Sequence, residues 1–165
     1  MDRAVREYIP PRSQPTHLQA ILTALESAPA GKETALSRGL EELSHRLVRR
    51  GLIVLLSDLL DEPQEVLRAL RLLRHRKHEV VVFHLLSPEE MDFPFREPVV
   101  VRDVETGETL TSGGNLVRRR YREVVEAFLE QYKKGCAAHG VDYVLMRTDT
   151  PFDLALAAYL SRRKR

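Results

Sequence analysis

Apolar residues along the chain follow one of two patterns. In the first they recur at spacings of three and four: Leu18, Ile21, Leu22 and Leu25; then Leu36, Leu40, Leu43 and Leu47; then Val66, Leu67, Leu70 and Leu73. A longer stripe holds Val117, Tyr121, Val124, Val125, Phe128, Tyr132 and Cys136, and a last one Phe152, Leu156 and Leu160. Such spacing gathers side chains on one face of a helix. The boundaries agree. Thr16 stands as N-cap of the first segment, Thr34 precedes the second, Pro63 opens the third, Asn115 caps the fourth, and a segment from Pro151 through Leu160 closes the chain. Arg49-Arg50-Gly51 and Gly140 are stop signals for the second and fourth.

In the second pattern apolar residues follow one another without alternation, as in Leu52-Ile53-Val54-Leu55-Leu56, Val80-Val81-Val82-Phe83 and Tyr143-Val144-Leu145-Met146. A strand carries such a run when helices cover both faces of its sheet. Strand, helix, strand in succession requires a crossover and predicts parallel pairing. The expected fold is therefore α/β and Rossmann-like, a largely parallel sheet flanked by helices, within one domain spanning 1–165. The regularity lapses at SPEEMDFPFREP and returns as Val99 to Val104, a Glu105-Thr106-Gly107 turn, and Glu108 to Thr111, which predicts a small β-hairpin insertion. Val5, Tyr8 and Ile9, stopped by Pro10-Pro11, predict a short edge strand.

Composition narrows the function classes. The chain has 165 residues, 43% hydrophobic and 30% charged, which suits a soluble globular domain able to bury a core without disulfides. Its single cysteine, Cys136, lies in an apolar helical stripe, so a cytoplasmic location is expected. No run approaches the length of a membrane span, and MDRAVREYIPPR lacks the apolar region of a signal peptide, so no membrane partner is expected. With 26 Lys and Arg against 24 Asp and Glu, the formal charge is only +2, which speaks against nucleic acid. Arg118-Arg119-Arg120-Tyr121-Arg122 is basic, but Tyr121 belongs to the apolar stripe and Glu123, Glu126 and Glu130 dilute the charge, so a solvated helix face explains it.

Ligands of open α/β sheets gather beyond the carboxyl ends of the strands. Asp58 and Asp61 follow the first run, Ser87, Glu89 and Glu90 the second, and Thr148, Asp149 and Thr150 the third. Thr34, heading the helix before the first run, is expected at the same rim. A hard cation such as magnesium takes carboxylate and hydroxyl oxygens and keeps several waters, so Thr34 with Asp58 forms a chemically sensible half-site. The competing reading is structural: Thr34 caps its helix, and Asp58 caps the helix starting near Pro63. No GxSxG elbow, phosphate loop ending in GK[ST], or HExxH occurs, so catalysis has little support. His75 and His78 alone share helical spacing, where a solvated helix end is the simpler account.

VREYIPPR, GKETAL, GLIVLLSDLLDE, HEVVVFHLLSPEEMDFPF and GVDYVLMRTDTPFDLALAAYL together resemble the bacterial domain-of-unknown-function family fifty-eight, itself similar to von Willebrand factor A domains. The resemblance implies a metal-ion-dependent adhesion site and a protein partner, notably a MoxR-type AAA+ ATPase, in the assembly or remodelling of a protein complex. In such sites a DxSxS loop supplies most ligands, a threonine in a second loop another, and an aspartate after the fourth strand completes the shell. Thr34 matches the second element and Asp58 the third; DxSxS does not occur in the chain. The chain is thus expected to be an N-terminally truncated von Willebrand factor A-like domain whose missing strand bares a central sheet edge. Self-association through that edge is expected, or a strand borrowed from a neighbour. The alternatives are a divalent-metal phosphohydrolase or nuclease using Asp58, Asp61, Glu89 or Asp149, and a degenerate scaffold without metal.

Overall fold

The computed structural model describes residues 7–10, 12–27, 35–93, 99–102, 109–112 and 115–163. In chain order the elements are α1 (Pro15–Ser27), α2 (Leu36–Arg46), β1 (Leu52–Ser57), α3 (Pro63–His75), β2 (Glu79–Leu86), α4 (Pro88–Asp92), β3 (Val99–Arg102), β4 (Thr109–Ser112), α5 (Asn115–Ala138), β5 (Asp142–Arg147) and α6 (Phe152–Arg163). The three apolar runs pair as expected, in a parallel sheet ordered β1-β2-β5. β3 and β4 pair antiparallel, Val99 opposite Ser112, as the inserted hairpin. Its Glu105-Thr106-Gly107 turn lies outside the described residues. So do residues 1–6 of the expected N-terminal strand, and residues 7–10 form no strand.

Helices α2, α3 and α5 cover one face of the sheet. Leu40, Val66, Leu70, Leu73, Tyr132 and Cys136 meet Val80 and Val82 there, with Ile53 and Leu55 packed against them. α3 and α5 approach closely because position 135 is glycine: a Cβ there would lie 2.4 Å from Leu67 Cδ1. α5 ends at Gly140, whose φ of +64° suits a residue without Cβ, and the Val141 N–H returns to the Cys136 carbonyl at 2.9 Å. Burial raises the Cys136 thiol to about 11, so it packs as a small hydrophobe.

The opposite face is covered only in part. Tyr159 of α6 packs on Val81, Phe83 and Val144, its ring edge-on to Phe83 at 5.4 Å. This cover reaches β2 and β5 and stops short of β1, whose Leu52, Val54 and Leu56 are 51%, 50% and 63% exposed. The expectation that both faces of this run lie under helices is thereby corrected. The expected stripe of α6 is corrected too, since Phe152, Leu156 and Leu160 are exposed and Tyr159 is the buried residue. Val124 of the α5 stripe likewise faces solvent, and α1 forms but buries no residue. α1 begins at Pro15, one position before the expected Thr16 cap.

Candidate functional site

At the carboxyl end of β1 the chain turns through Ser57-Asp58-Leu59-Leu60-Asp61, the segment that most constrains the rim. Leu59 is fully buried at a φ of +56°, in the left-handed region that a leucine rarely enters. Such a conformation persists where the surroundings over-determine it. Here Ser57 Oγ accepts from the Leu59 N–H at 3.0 Å, while the Leu59 carbonyl accepts from the Tyr132 hydroxyl at 3.1 Å and the Asp61 N–H at 2.8 Å. The Asp58 carbonyl is taken by His84 Nε2 at 2.8 Å.

His84 is the hub beneath this turn. It has no exposure, and the rings of Phe128, Tyr132 and Tyr143 stand edge-on to it at 5.7 to 5.8 Å. Because Nε2 faces a carbonyl it carries the proton, which leaves Nδ1 to accept from the Tyr143 hydroxyl at 2.7 Å. Burial holds the imidazole pKa below its ordinary 6.5, only partly offset by the Asp58 carbonyl. Burial also pushes the Tyr132 and Tyr143 hydroxyls upward, so they remain donors.

Asp58, the predicted metal ligand, stands exposed at the rim with its backbone clamped from below. Its Oδ1 accepts from the Leu60 N–H at 3.2 Å and meets Ser57 Oγ at 3.5 Å, and its second oxygen has no partner among the described residues. It closes a local turn and does not cap α3, whose N-cap is Glu62 with no side-chain hydrogen bond. Asp61 has the capping role. Its Oδ2 accepts from the Ser37 N–H at 2.9 Å and its Oδ1 from the Glu62 N–H at 2.7 Å, joining the heads of α2 and α3. Burial, the largest influence, raises the Asp61 carboxyl, but the hydrogen bonds from Ser37, Glu62 and Leu36 together bring it below 3.8. Thr34 lies outside the described residues; α2, which it precedes, is tied to the Asp58 turn through Asp61.

Ser87 and Glu90 close a capping box on α4, the Glu90 N–H donating to Ser87 Oγ at 3.2 Å and the Ser87 N–H to Glu90 Oε2 at 2.7 Å. Arg147 lies between Asp149 at 3.0 Å and Asp92 at 3.3 Å; its hydrogen bond lowers the Asp149 carboxyl and raises the guanidinium. Asp61 and Asp149 are thus engaged by protein groups. Among the described residues no three His, Cys, Asp or Glu converge as a metal cluster. Asp58 keeps one carboxylate oxygen without a partner among the described residues. Sequence reasoning missed His84, Tyr132 and Tyr143 as supports of the turn. The one available signal was a histidine within an otherwise apolar strand.

These features define a Rossmann-like α/β protein with its polar rim at the carboxyl ends of parallel strands. The family model described as "Protein of unknown function DUF58" matches residues 1–131, and the chain belongs to that family. It is 28% identical over 163 residues to "Uncharacterized protein Rv1480" of Mycobacterium tuberculosis and, equally, to "Uncharacterized protein Mb1516" of Mycobacterium bovis. The match takes in 92% of this chain and 47% of each of those proteins, so the chain spans about half of their length. "Uncharacterized protein MAV169" of Mycobacterium avium is 27% identical over 162 residues, covering 95% of this chain and 94% of that protein. No solved structure matches. Among the described residues no helix is long and apolar enough to cross a membrane.

Proposed function

We propose that the chain is a protein-interaction module and not an enzyme, and that its partner docks on β1. What carries this reading is β1 itself. Only one side of the strand is hydrogen-bonded to a neighbour among the described residues, and one face bares Leu52, Val54 and Leu56. An apolar strand with a free edge invites pairing with another chain. In keeping with the resemblance to von Willebrand factor A domains, the partner we assign is a MoxR-type AAA+ ATPase, in the assembly or remodelling of a protein complex. A second copy of the chain is the competing occupant.

A residual metal-ion-dependent adhesion site belongs to the same reading. Asp58 offers a free carboxylate oxygen on the turn held by His84, Thr34, outside the described residues, is the hydroxyl ligand that the resemblance implies, and waters with a carboxylate from the partner would complete a magnesium shell. The test is to immobilise the purified chain and titrate a purified MoxR-type ATPase with and without magnesium. Binding that is lost in the pair Val54→Lys and Leu56→Lys, and that loses its magnesium dependence in Asp58→Asn, supports the reading. Binding unchanged by the paired substitution removes it.

A further inference from the structure

The other end of the sheet is also open. β5 has β2 as its only strand neighbour among the described residues. Just past the strand, the Thr148 N–H turns inward to the Leu86 carbonyl at 3.0 Å. Peptide groups alternate in direction along a strand, so those of Tyr143 and Leu145, and the N–H of Arg147, point outward. Beside this edge an open groove of about 900 Å³ runs between β5 and one flank of α5. Leu129 of α5 with Tyr143 and Leu145 of β5 form its apolar part, and Leu145 is 37% exposed. The helix flank carries both signs of charge. Glu126 and Glu130 lie toward one end, and Lys133, with Lys134 beside it, toward the other. Glu130 is drawn to Lys133 and Lys134 of its own chain at 3.9 and 3.3 Å, and Asp142 accepts from the Tyr159 hydroxyl at 3.1 Å.

We propose that this edge takes a second copy of the chain, with β5 antiparallel to β5 about a two-fold axis, so that the two sheets become one. The strand itself sets the register. An axis normal to the sheet places one residue opposite itself. Centring on Leu145 puts Tyr143 opposite Arg147, so the outward-pointing groups meet one another. Centring on Val144 would set Arg147 opposite Val141, whose N–H already donates to the Cys136 carbonyl at 2.9 Å. Tyr143 packs on the α5 side of the sheet, and Leu145, two residues on, shares that face. The axis keeps both copies' Tyr143 and Leu145 on this side, where the two grooves merge. It also runs the two α5 flanks antiparallel. Leu145 lies about 10 Å along β5 from Asp142, level with the turn about seven residues before the end of α5. That turn holds Glu130 and Lys133, so Glu130 of each copy falls beside Lys133 of the other. A flank balanced between acid and base gives little hold to a ligand of one sign, and it matches its own reversed copy. The contact lies at the opposite sheet edge from β1 and does not depend on the partner proposed there.

The test is sedimentation of the full chain over a dilution series reaching about 100 µM, where even a weak specific contact is populated. The chain is expected to pass from monomer to dimer as concentration rises. Leu145→Lys should leave a monomer. Glu130→Lys should weaken the dimer about tenfold, and adding Lys133→Glu should restore it, because both signs are then exchanged together. These positions are at the surface, and circular dichroism checks that each variant keeps its fold. Leu145→Cys, which does not rely on breaking the contact, should give a disulfide-linked dimer under a mild oxidant. A monomer at every concentration, a dimer indifferent to Leu145→Lys, or no cross-link through Leu145→Cys would overturn the proposal. So would a charge exchange that fails to restore the dimer, or a dimer lost in Val54→Lys with Leu56→Lys and kept in Leu145→Lys, which puts the contact at β1.

Discussion

β1 and β2 are neighbours built from the same kind of sequence, yet they meet different surroundings. Leu56 of β1 stands in register with Phe83 of β2. Phe83 is 5% exposed beneath Tyr159, and Leu56 is 63% exposed. On the face turned toward α3 and α5 the two strands share a core, so the difference is confined to the other face, where α6 reaches one strand and not its neighbour. An unalternating apolar run says that both faces of a strand avoid water. It does not say which chain does the covering.

Substituting the register pair gives the largest expected contrast. Phe83→Ala should cost about 3–5 kcal/mol through lost transfer energy and a cavity under Tyr159. Leu56→Ala should stay within about 0.5 kcal/mol, as a surface change does. Urea unfolding of both variants measures the gap, and similar costs would mean that β1 is covered in solution.

Next in size is the tie between the two strands below the Asp58 turn. His84→Leu removes the partner of the Asp58 carbonyl and of the Tyr143 hydroxyl, and each group left buried without a partner costs about 1–3 kcal/mol. Thermal unfolding reads the loss. A cost near zero would show that the turn does not depend on the histidine.

The same imidazole gives stability a pH dependence. Its folded pKa is below 6.5, so the unfolded chain takes up the proton first as pH falls. Its contribution is fully present above about 6.5 and is lost as pH drops through that value toward the lower folded one. Unfolding midpoints at pH 8 and pH 5 should differ more in the wild-type chain than in His84→Leu. Equal differences would remove His84 as the cause.

The smallest effect is expected where α2 and α3 are clasped at the surface. Arg68 pairs with Glu41 at 2.9 Å and Glu65 at 2.6 Å, with its side chain 57% exposed. Arg68→Ala should cost no more than about 1 kcal/mol, read from the same urea curves. A larger loss would mean that the clasp and not the shared core orders this side of the sheet.

Much of the fold was legible because it rests on local periodicity. Three unalternating runs became three parallel strands, the spaced stripes became helices, and the segment from Val99 became a hairpin, whereas the stretch before it, expected to be irregular, holds the short helix α4. Asp58 was legible as a rim residue because it directly follows a strand. Its support was not. His84 lies 26 residues from the carbonyl it holds and 59 from the tyrosine it accepts from, and the Tyr132 hydroxyl reaches a carbonyl 73 residues away. No spacing rule links positions so distant. Asp61, expected beside Asp58 at the rim, instead joins two helix heads, an assignment that needed the placement of Ser37.

The reading of β1 as a docking strand is tested most directly by amide exchange on residues 52–57, first in the isolated chain and then with the MoxR-type ATPase bound. The outward-facing amides of β1 should exchange at close to unprotected rates alone and slow sharply in the complex, while those of β2 stay protected in both states. β1 amides already as protected as those of β2 in a dilute monomer, or unchanged on binding, would contradict it.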